Sequence, residues 1–486
     1  MKILMIVSEM DGIVKTGGLA DFGAAMAEAL VDRGHDVRVA LPKYKDLSLW
    51  SKNPVPLYFN LNHFQRYGCL VHPVHLGSVA VRLIEHHDFF NRDGIYGDNN
   101  FSYPDNVLRY AFFCKAALED CLKSDWIPDI VHCNDWQTSV APYYLKEHYL
   151  DRPEFEGTRS LLTIHNGYFQ GKEDRRWIDA IGIRPERFTH DLMEEYGLLN
   201  QLKCGIMYAD AINAVSPGYA RELLSPDTSH NLWPYLNSRK VSFQGILNGC
   251  DYSLWDPRTD PFLPHHFFSG DLTGKQRCKK ALQKRMGLPE KSKNPLLGLV
   301  ARLTAQKGFD YLIPALERLL YEDPPIQIVL LGSGEPEYGS RLHYLQRQYP
   351  QKMGFVNGYD NGLSHLIEAG SDFFMMPSLF EPCGLNQLYS LAYGTLPIVR
   401  ETGGLKDTVV GFGKDSATGI SFVSPDNDSC YNGLKQAISL YTENHPLYLE
   451  IQQRAMKQKF TWEKSAEEYE GLYRKMLKNC NRGELW

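Results

Sequence analysis

The segment Lys2–Leu41 reads KILMIVSEMDGIVKTGGLADFGAAMAEALVDRGHDVRVAL, and its pattern decides the fold class. Residues 2–7 form an unbroken apolar run, which is typical of a strand buried on both faces of a parallel sheet. Apolar side chains then recur at helical spacing over residues 19–33, and Gly34 stands where a helix would end. Residues 37–41 are apolar again, so the segment predicts a βαβ unit.

The same alternation continues along the chain. Strand-like runs that end in polar residues lie at 129–133, 160–166 and 211–216, and a second series begins at 295–301 and 326–335. Alternating strands and helices are typical of parallel sheets covered by helices on both faces. The sequence therefore predicts an α/β protein with two doubly wound lobes in series.

The predicted junction is a stretch rich in turn formers and aromatic residues, from Asn248 to Pro264. We expect a first lobe over residues 1–245 and a second lobe over residues 246–462. The C-terminal segment 463–486 is expected to be helical and to return to the first lobe.

Length and charge exclude several classes of protein. A chain of 486 residues exceeds the roughly 250–300 residues at which one hydrophobic core stops growing, so at least two domains are expected. The chain has 52 basic and 58 acidic side chains, a net charge of −6, and no block of basic residues. This composition argues against a nucleic-acid partner or a membrane-surface partner, because such proteins usually carry a clustered basic patch.

The cysteines and the N-terminus predict a cytoplasmic protein. None of the ten cysteines forms a C-x-x-C pair, and a chain of this size needs no disulfides for stability, so reduced thiols are expected. The first apolar run is too short for the core of a signal peptide, and no apolar stretch reaches the length of a transmembrane helix.

The motif TGGLxD occurs twice, at residues 16–21 and 402–407. Each copy follows a predicted strand and opens a predicted helix, where backbone N–H groups and the helix dipole favour an anion. Alternatively, the paired glycines simply make a tight turn between strand and helix. Neither copy matches G-x-G-x-x-G, and the sequence Gly332-Ser333-Gly334 lacks the third glycine, so a dinucleotide-binding fingerprint has little support.

Two cations follow the first strand of the second lobe. Arg302 and Lys307 lie on a loop at the carboxyl end of that strand, and this edge is where open α/β sheets bind ligands. An Arg grips phosphate oxygens in a bidentate manner and a Lys supplies a point charge, so the pair could neutralise a diphosphate without a metal ion. The alternative is a solvated loop with no ligand.

An acidic loop follows a later strand of the same lobe. Pro382 and Gly384 exclude a helix at Glu381, while residues 383–385 would supply N–H groups at the next helix start. Such a loop could hold both a sugar hydroxyl and a phosphate. As an alternative, Glu381 is a surface acid that caps the helix beginning at Leu385.

Further polar residues end strands of the first lobe. His165 and Asp135 each stand just past a strand, and Lys15 directly precedes the first glycine pair. Asp426 and Asp428 resemble a D-x-D metal site but lie in a turn apart from the other candidates. No Cys/His zinc spacing occurs, so we expect neither a metal nor a cofactor.

Four motifs, in order and over nearly the whole chain, resemble those of bacterial glycogen synthases and plant starch synthases. They are Lys15-Thr-Gly-Gly-Leu19, His165-Asn166, Ala301-Arg302-Leu-Thr-Ala-Gln-Lys307-Gly308 and Phe380-Glu381-Pro-Cys383-Gly-Leu-Asn-Gln387-Leu-Tyr389. The resemblance implies two Rossmann-like lobes that face each other across a deep cleft, the GT-B fold. It also implies transfer of glucose from ADP-glucose to the non-reducing 4-hydroxyl of an α-1,4-glucan, with retention of configuration and without a catalytic metal.

Carried over position by position, the resemblance implies roles for individual residues. The residues implied in catalysis are Glu381, His165, Arg302 and Lys307. Those implied in donor binding are Lys15, Gly18, Asp21, Asp135, Asn166, Asn248, Arg302, Lys307, Tyr359, Glu381, Cys383, Gly384 and Leu385. The aromatic segment from Tyr96 to Tyr103 resembles the acceptor surface, and both of these tyrosines are implied in glucan binding.

Three residues depart from the family pattern. Gly167 replaces the usual apolar residue, Asn386 a common threonine and Glu401 a common basic residue. The first two border the implied pocket, and Glu401 adds negative charge beside the second TGGL copy. The changes at Gly167 and Asn386 could alter the donor or acceptor preference. The charge of Glu401 argues against an anion-binding role for the second TGGL copy.

Breaking the bond between glucose and a diphosphate puts negative charge on the leaving oxygen, and only groups that stabilise this separated charge raise the rate. We expect attack from the same face, with the departing phosphate accepting the hydroxyl proton, although the sequence also allows a covalent intermediate. The sequence also allows UDP-glucose as the donor and glucose-1-phosphate as the acceptor. A non-catalytic glucan-binding relative and a nicotinamide-dependent oxidoreductase are the competing functions.

Overall fold

The computed structural model describes residues 1–98 and 101–480. The chain divides into two compact units. The first comprises Met1–Asn248 together with the chain from Trp462 onward, and the second comprises Gly249–Thr461.

The strands of the first unit are β1 (Lys2–Ile6), β2 (Asp36–Pro42), β3 (Val55–Asn60), β4 (Arg66–Leu76), β5 (Val79–Glu85), β6 (Gly97–Asp98), β7 (Phe101–Ser102), β8 (Ile130–Asn134), β9 (Arg159–Ile164), β10 (Lys172–Asp174), β11 (Glu194–Glu195), β12 (Leu198–Asn200), β13 (Ala211–Ala214) and β14 (Phe243–Gly245). Its helices before the second unit are α1 (Gly18–Asp32), α2 (His87–Phe90), α3 (Asn106–Lys123), α4 (Ala141–Glu147), α5 (Trp177–Ala180), α6 (Gln201–Tyr208), α7 (Pro217–Leu223) and α8 (Trp233–Ser238).

Within the described residues, nine strands of the first unit form one sheet in the order β14-β13-β9-β8-β1-β2-β5-β4-β3. Strands β14 to β5 in this order pair in parallel, with Ile3 opposite both Val37 and Ile130. The chain order reverses between β1 and β8, and the loops after these two strands therefore lie side by side.

The edge of this sheet differs from the sequence prediction. Strands β3, β4 and β5 pair antiparallel, in a region for which the sequence pattern predicted no element. Exposed and buried residues alternate along β3, because one face packs on the core and the other faces solvent. Short runs of this alternating kind carry a weaker signal than the continuous apolar runs of the central strands.

The strands of the second unit are β15 (Leu296–Val300), β16 (Gln327–Gly332), β17 (Met353–Asn357), β18 (Phe373–Met376), β19 (Leu396–Arg400) and β20 (Ile420–Phe422). Its helices are α9 (Thr273–Arg285), α10 (Phe309–Tyr321), α11 (Pro336–Gln348), α12 (Asn361–Gly370), α13 (Asn386–Ala392), α14 (Gly403–Thr408), α15 (Asn427–Glu443) and α16 (His445–Met456).

All the strand pairs of the second-unit sheet are parallel, in the order β17-β16-β15-β18-β19-β20. In chain order this is 3-2-1-4-5-6, the order of dinucleotide-binding doubly wound sheets. The topological switch point lies between β15 and β18. Both units are therefore doubly wound α/β folds, as the sequence predicts.

The last helix, α17 (Trp462–Cys480), belongs to the first unit and packs on α1. Tyr469 and Tyr473 are fully buried in that core. The hydroxyl of Tyr469 accepts a hydrogen bond of 2.7 Å from Nδ2 of Asn213, and the hydroxyl of Tyr473 lies 2.7 Å from Nδ1 of His132. The end of the chain thereby stabilises the central strands β8 and β13.

Among the helices of residues 1–98 and 101–480, none combines the length and the apolar character that crossing a bilayer requires.

We predict that Tyr469→Ala lowers the free energy of unfolding by about 3–5 kcal/mol, because it leaves a cavity and removes the partner of Asn213. Urea unfolding followed by circular dichroism measures the change. Glu467→Ala is the matched control, since Glu467 is exposed on the same helix and should change stability by less than about 0.5 kcal/mol. Equal effects of the two substitutions would show that α17 does not stabilise the unit.

Candidate functional site

A cavity of about 190 Å³ lies at the switch point of the second unit, between the ends of β15 and β18. Its polar wall is formed by Arg302, Lys307, Ser378, Glu381 and Asn386. The backbone around Gly384 completes the wall at the start of α13. The structure thus brings two loops to one pocket: the cationic loop, which carries Arg302 and Lys307, and the acidic loop, which carries Glu381. We call this pocket the switch-point pocket.

An ion pair joins the two loops of this pocket. The Lys307 ammonium lies 2.6 Å from Oε2 of Glu381, and Oγ of Ser378 donates a hydrogen bond of 2.9 Å to the same oxygen. Glu381 is buried, with 6% of its surface exposed. Both contacts fall on Oε2. Since the second carboxylate oxygen, Oε1, has no hydrogen-bond donor within the described part of the chain, it can accept a hydroxyl hydrogen from a ligand.

Arg302 is exposed at the mouth of the switch-point pocket. Its guanidinium has no hydrogen-bond partner among the described residues, so its donors can bind a ligand in the pocket. Lys307 carries a second positive charge in the wall of the pocket, and it is paired with Glu381. The ion pair reduces the repulsion that the carboxylate would exert on a phosphate.

Gly308 allows the cationic loop to touch the neighbouring strand end. Its φ of +78° is in the left-handed region, and a Cβ there would lie 1.9 Å from the carbonyl oxygen of Pro377. Only glycine fits such a close approach of backbone to backbone. Lys307 is thereby held beside Glu381.

The acidic loop is held by side chains that the sequence pattern did not single out. The amide of the fully buried Gln387 donates to the carbonyl oxygens of Cys383, at 3.0 Å, and Gly384, at 2.9 Å. Arg400 donates through Nε to the carbonyl oxygen of Ser378 at 2.9 Å. Cys383 is itself buried, so it contributes to the loop through its backbone and its small size.

The second TGGL copy packs on this loop. A Cβ on Gly403 would lie 2.0 Å from the carbonyl oxygen of Glu381, and one on Gly404 would lie 2.2 Å from that of Cys383. The N–H of Gly404 also donates to the Glu381 carbonyl at 3.0 Å. These glycines therefore serve close backbone packing, which agrees with the interpretation as a tight turn. Glu401 accepts a hydrogen bond of 2.9 Å from Oγ of Ser421.

In the first unit, Asp135, His165 and Asn166 come together at the ends of β8 and β9. Oδ1 of Asp135 accepts the backbone N–H groups of His165, at 2.7 Å, and Asn166, at 3.2 Å. Asp135 has a φ of 57°, a left-handed conformation that is uncommon outside glycine and often found at functional sites. Burial raises the pKa of Asp135 to about 7, although the two N–H donors act to lower it.

His165 is a neutral imidazole, because burial lowers its pKa to about 3. Its Nε2 lies 2.9 Å from Oδ1 of Asn134, whose Nδ2 donates to the carbonyl oxygens of Ile6 and His132. Since Oδ1 must then be the acceptor, Nε2 of His165 carries the hydrogen. Nδ1 is left with a lone pair that can accept a ligand hydroxyl.

Glu9 is a residue of this site that the sequence pattern did not reveal. Its carboxylate accepts the backbone N–H groups of Thr16, at 2.5 Å, and Gly17, at 3.1 Å, and the hydroxyl groups of Thr16, at 2.6 Å, and Tyr96, at 2.5 Å. The anion at the start of α1 is thus supplied by the protein itself. The sequence did show an acid shortly after the apolar run 2–7. Its contact with Thr16 and Gly17 could not be predicted, because these residues lie seven and eight positions further along the chain.

Lys15 lies in the same loop and is paired with two acids. Its ammonium is 2.6 Å from Asp21 and 3.4 Å from Asp11. Burial acts to lower the pKa of Lys15, but the two carboxylates raise it above its usual value overall. Gly18 begins α1 directly beside this cluster.

Tyr103, Asn248 and Tyr359 do not line the switch-point pocket. The Tyr103 hydroxyl donates to the carbonyl oxygen of Asp93, and residues 99 and 100 of the expected acceptor segment lie outside the described residues. Oδ1 of Asn248 is buried and has no hydrogen-bond partner in the described part of the chain. Tyr359 follows β17 in the second unit and is 86% exposed.

Two of the departures from the family pattern have packing partners. Asn386 donates through Nδ2 to the carbonyl oxygen of Val300 at 3.0 Å, which joins α13 to the end of β15. A Cβ on Gly167 would lie 3.0 Å from Leu232 and 3.1 Å from Leu223. The two leucines therefore fill the space that a side chain at position 167 would need.

The two aspartates of the D-x-D sequence have structural roles. Oδ1 of Asp426 accepts the backbone N–H of Ser429 at 2.7 Å and caps α15, and Asp428 pairs with Arg318 at 3.0 Å. Within residues 1–98 and 101–480, no group of three or more His, Cys, Asp or Glu side chains is arranged to hold a metal ion.

Comparisons with known proteins match the whole chain. The family model described as starch synthase catalytic domain matches residues 2–238, and the model described as glycosyl transferases group 1 matches residues 282–458. The glycogen synthase of Aeromonas salmonicida is 43% identical over 98% of both chains. The glycogen synthase of Vibrio parahaemolyticus is 42% identical over 98% of this chain and 99% of its own.

Two solved structures share the fold. The catalytic domain of starch synthase IV from Arabidopsis thaliana, bound to ADP and acarbose, has a TM-score of 0.90 at 32% identity and covers 98% of this chain and 99% of its own. A sucrose-phosphate synthase from Thermosynechococcus elongatus has a TM-score of 0.61 at 16% identity, with the same coverage. The second similarity is one of fold alone.

The raised pKa of Asp135 predicts a pH dependence of stability. Because the pKa in the folded protein exceeds that of an unfolded aspartate, the stabilisation is present below the unfolded pKa and is lost as pH rises through 7. Relative to Asp135→Asn, the free energy of unfolding of the wild type should fall by roughly 3–4 kcal/mol between pH 4 and pH 8. Urea unfolding of both proteins at several pH values measures this difference. If the free energies of unfolding of the wild type and of Asp135→Asn changed with pH in the same way, Asp135 would not be buried in its protonated form.

Proposed function

Because the chain belongs to the family of bacterial glycogen synthases and plant starch synthases, we propose that it transfers glucose from ADP-glucose to the non-reducing 4-hydroxyl of an α-1,4-glucan, with retention. The family and the hexosyltransferase class expected from the sequence are confirmed by relatives that match over the whole chain. The nucleotide, the individual residue roles and the cytoplasmic location stay predictions.

The observation that carries the proposal is the switch-point pocket. Arg302 and Lys307 supply two positive charges at the ligand edge of a parallel sheet, beside the carboxylate of Glu381. A diphosphate leaving group needs such charges, and a glucosyl hydroxyl needs an acceptor like Oε1 of Glu381. The binding of ADP by the Arabidopsis starch synthase supports the same assignment.

Charge stabilisation in this pocket would drive the bond breaking. Negative charge grows on the diphosphate as the bond to the anomeric carbon lengthens, and Arg302 and Lys307 stabilise it more in the transition state than in the ground state. The backbone N–H groups at the start of α13 would add to the same effect. The ion pair of Lys307 with Glu381 keeps the ammonium in position before the donor arrives.

The neutral residues of the first unit would hold the sugar. Nδ1 of His165 accepts a hydroxyl hydrogen, and the amide of Asn166 can donate or accept. A neutral His165 adds no positive charge next to a sugar that becomes cationic in the transition state. We place Asp135 in the same role, since its carboxyl group is buried beside these two residues.

We propose attack from the same face as the leaving group, with a phosphate oxygen accepting the proton of the glucan hydroxyl. Tyr389 stands eight positions after Glu381. Its ring stacks on Trp255 with centroids 3.9 Å apart, so Tyr389 serves packing. A covalent glucosyl intermediate would require another nucleophile.

We predict that Arg302→Ala and Lys307→Ala each lower kcat by on the order of 10²–10³, the usual loss for one preorganised group that stabilises charge. Steady-state transfer of glucose to glycogen measures the effect. Arg277→Ala and Lys280→Ala are matched controls, because both residues are exposed on α9 of the same unit and should leave kcat unchanged. Near-wild-type turnover in both pocket variants would exclude the diphosphate assignment.

A parallel assay tests the donor and the acceptor. We expect labelled glucose from ADP-glucose to be incorporated into glycogen at a higher kcat/KM than glucose from UDP-glucose or GDP-glucose. Preference for UDP-glucose, or transfer to glucose-1-phosphate instead of glycogen, would replace the proposed substrates. Absence of incorporation from every donor would favour a non-catalytic glucan-binding protein.

A further inference from the structure

The position of α13 affects the switch-point pocket, because the acidic loop ends where this helix begins. Asn386, the first residue of α13, lines the pocket. Gln387 donates hydrogen bonds to the carbonyl oxygens of Cys383 and Gly384 within the loop. A shift of α13 would therefore move the loop that carries Glu381.

Helix α13 depends on side-chain contacts for its position. It has seven residues, whereas isolated helices shorter than about 12–15 residues are marginal in water. Two residues from one segment of the second unit, Trp255 and Asp260, contact its last turn and the residue that follows it. We call this pair the α13 anchor.

The ring of Trp255 lies between a ring of α12 and a ring of α13. Its centroid is 3.8 Å from that of His365 on α12 and 3.9 Å from that of Tyr389 on α13. The ring planes differ by only 4° and 3° in these two pairs. Two rings this close to a third cannot share one of its faces, so His365 and Tyr389 stack on opposite faces of Trp255. Stacking at van der Waals contact thus sets the spacing between the two helices.

Asp260 contacts the same side of α13 one turn further on. Its Oδ2 accepts a hydrogen bond of 2.6 Å from the hydroxyl of Tyr393, which directly follows the helix. Tyr393 comes four positions after Tyr389, and residues at this spacing face the same way. Oδ2 of Asp260 also lies 2.8 Å from Nδ1 of His365, the ring that stacks on Trp255. The two residues of the anchor are therefore joined to each other as well as to α13.

The carboxyl group of Asp260 is ionised although the residue is 1% exposed. Burial acts to raise its pKa, but the hydrogen bonds from His365 and Tyr393 lower it below the usual value overall. Hydrogen bonds to an ionised group are stronger than those between neutral groups, and a buried carboxylate is costly without them. Asp260 therefore holds Tyr393 in place.

We propose that Trp255 and Asp260 are positioning residues for the glucosyl donor: they hold α13, and through it the acidic loop, in the geometry that binds the nucleotide. Neither residue lines the switch-point pocket, so each acts through the tyrosine that it contacts. The inference rests on the proposed function, because it concerns the binding of the same donor.

The test of Trp255 measures the dissociation constant of ADP for the full chain by isothermal titration calorimetry. We expect Trp255→Ala and Trp255→Leu to raise this constant about 5–20-fold, because the loss of both stacked contacts lets α13 and the acidic loop shift. Trp255→Leu keeps an apolar side chain in the site and removes only the flat ring. Trp255→Phe retains a ring and should restore the ADP affinity to within about threefold of wild type.

Steady-state kinetics separate positioning of the donor from general stability. In the two variants without a ring, the KM for ADP-glucose should rise about as much as the dissociation constant of ADP, and kcat should fall about 3–10-fold. The KM for glycogen should stay within about twofold of wild type. A KM for glycogen that rose in parallel with the KM for the donor would overturn the inference.

Tyr441→Ala is the matched control. Tyr441 is also a partly buried aromatic residue of the second unit, and its ring centroid lies 4.8 Å from that of His445 and 4.9 Å from that of Tyr448. It lies on α15 and does not line the pocket. Its removal should lower the free energy of unfolding but leave the ADP affinity within about twofold of wild type. An equal loss of ADP affinity in this control would show that the effect of Trp255 is general destabilisation, which would overturn the inference.

A double-mutant cycle tests whether Trp255 acts through Tyr389. If it does, Tyr389→Ala alone and the double variant with Trp255→Ala should weaken ADP binding about as much as Trp255→Ala alone. Additive effects of the two substitutions would contradict this route. Tyr393→Phe removes only the hydroxyl that Asp260 binds and should raise the dissociation constant of ADP about 2–5-fold. Unchanged ADP affinity in Tyr393→Phe would exclude Asp260 from the positioning role.

The binding and transfer measurements separate this inference from the proposed function. If the wild type transfers glucose and the Trp255 variants bind ADP as tightly as the wild type does, the inference fails and the proposed function stands. If the variants lose ADP affinity while no donor supports transfer by the wild type, the anchor positions a nucleotide site and the proposed function fails.

Discussion

The ion pair between Lys307 and Glu381 is the interaction on which the switch-point pocket depends. It joins the loop after β15 to the loop after β18, the two strands between which the chain order reverses. A carboxylate as buried as Glu381 is costly unless it is paired, and Lys307 and Ser378 supply the partners. In the proposed function, the same ammonium that stabilises this acid also provides charge for a phosphate, so folding and binding would both require a cation at position 307.

Backbone packing makes that pair possible. Gly308 lets the first loop touch the carbonyl oxygen of Pro377, while Gly403 and Gly404 lie against the carbonyl oxygens of the acidic loop. Three successive strand ends are therefore joined by contacts that no side chain could tolerate. This close packing positions the loops that carry the charged residues, and Arg400 and Gln387 hold the acidic loop through hydrogen bonds.

Much of this arrangement followed from sequence pattern, because the carboxyl ends of parallel strands share one edge of a sheet. Continuous apolar runs such as 2–7 and 295–301 marked central strands, and the polar residues after them marked the ligand edge. The antiparallel β3 and β4 carried only a weak alternating pattern. The contacts of Glu9 with Thr16 and Gly17 depend on how the loop folds back on the strand, which no periodicity encodes.

The two units share the doubly wound fold but differ in the charged residues at their switch points. The second unit gathers cations at its switch point, which suits a ligand that carries negative charge. The first unit gives its charged groups partners within the protein: Glu9 receives N–H and hydroxyl donors, Lys15 is paired with acids, His165 is uncharged, and burial raises the pKa of Asp135. In the proposed function, the polar groups of this unit would bind sugar hydroxyls through directed hydrogen bonds. The two TGGL copies are similar in sequence but differ in their contacts. The first copy donates its backbone N–H groups to the carboxylate of Glu9, whereas the second copy packs against the acidic loop.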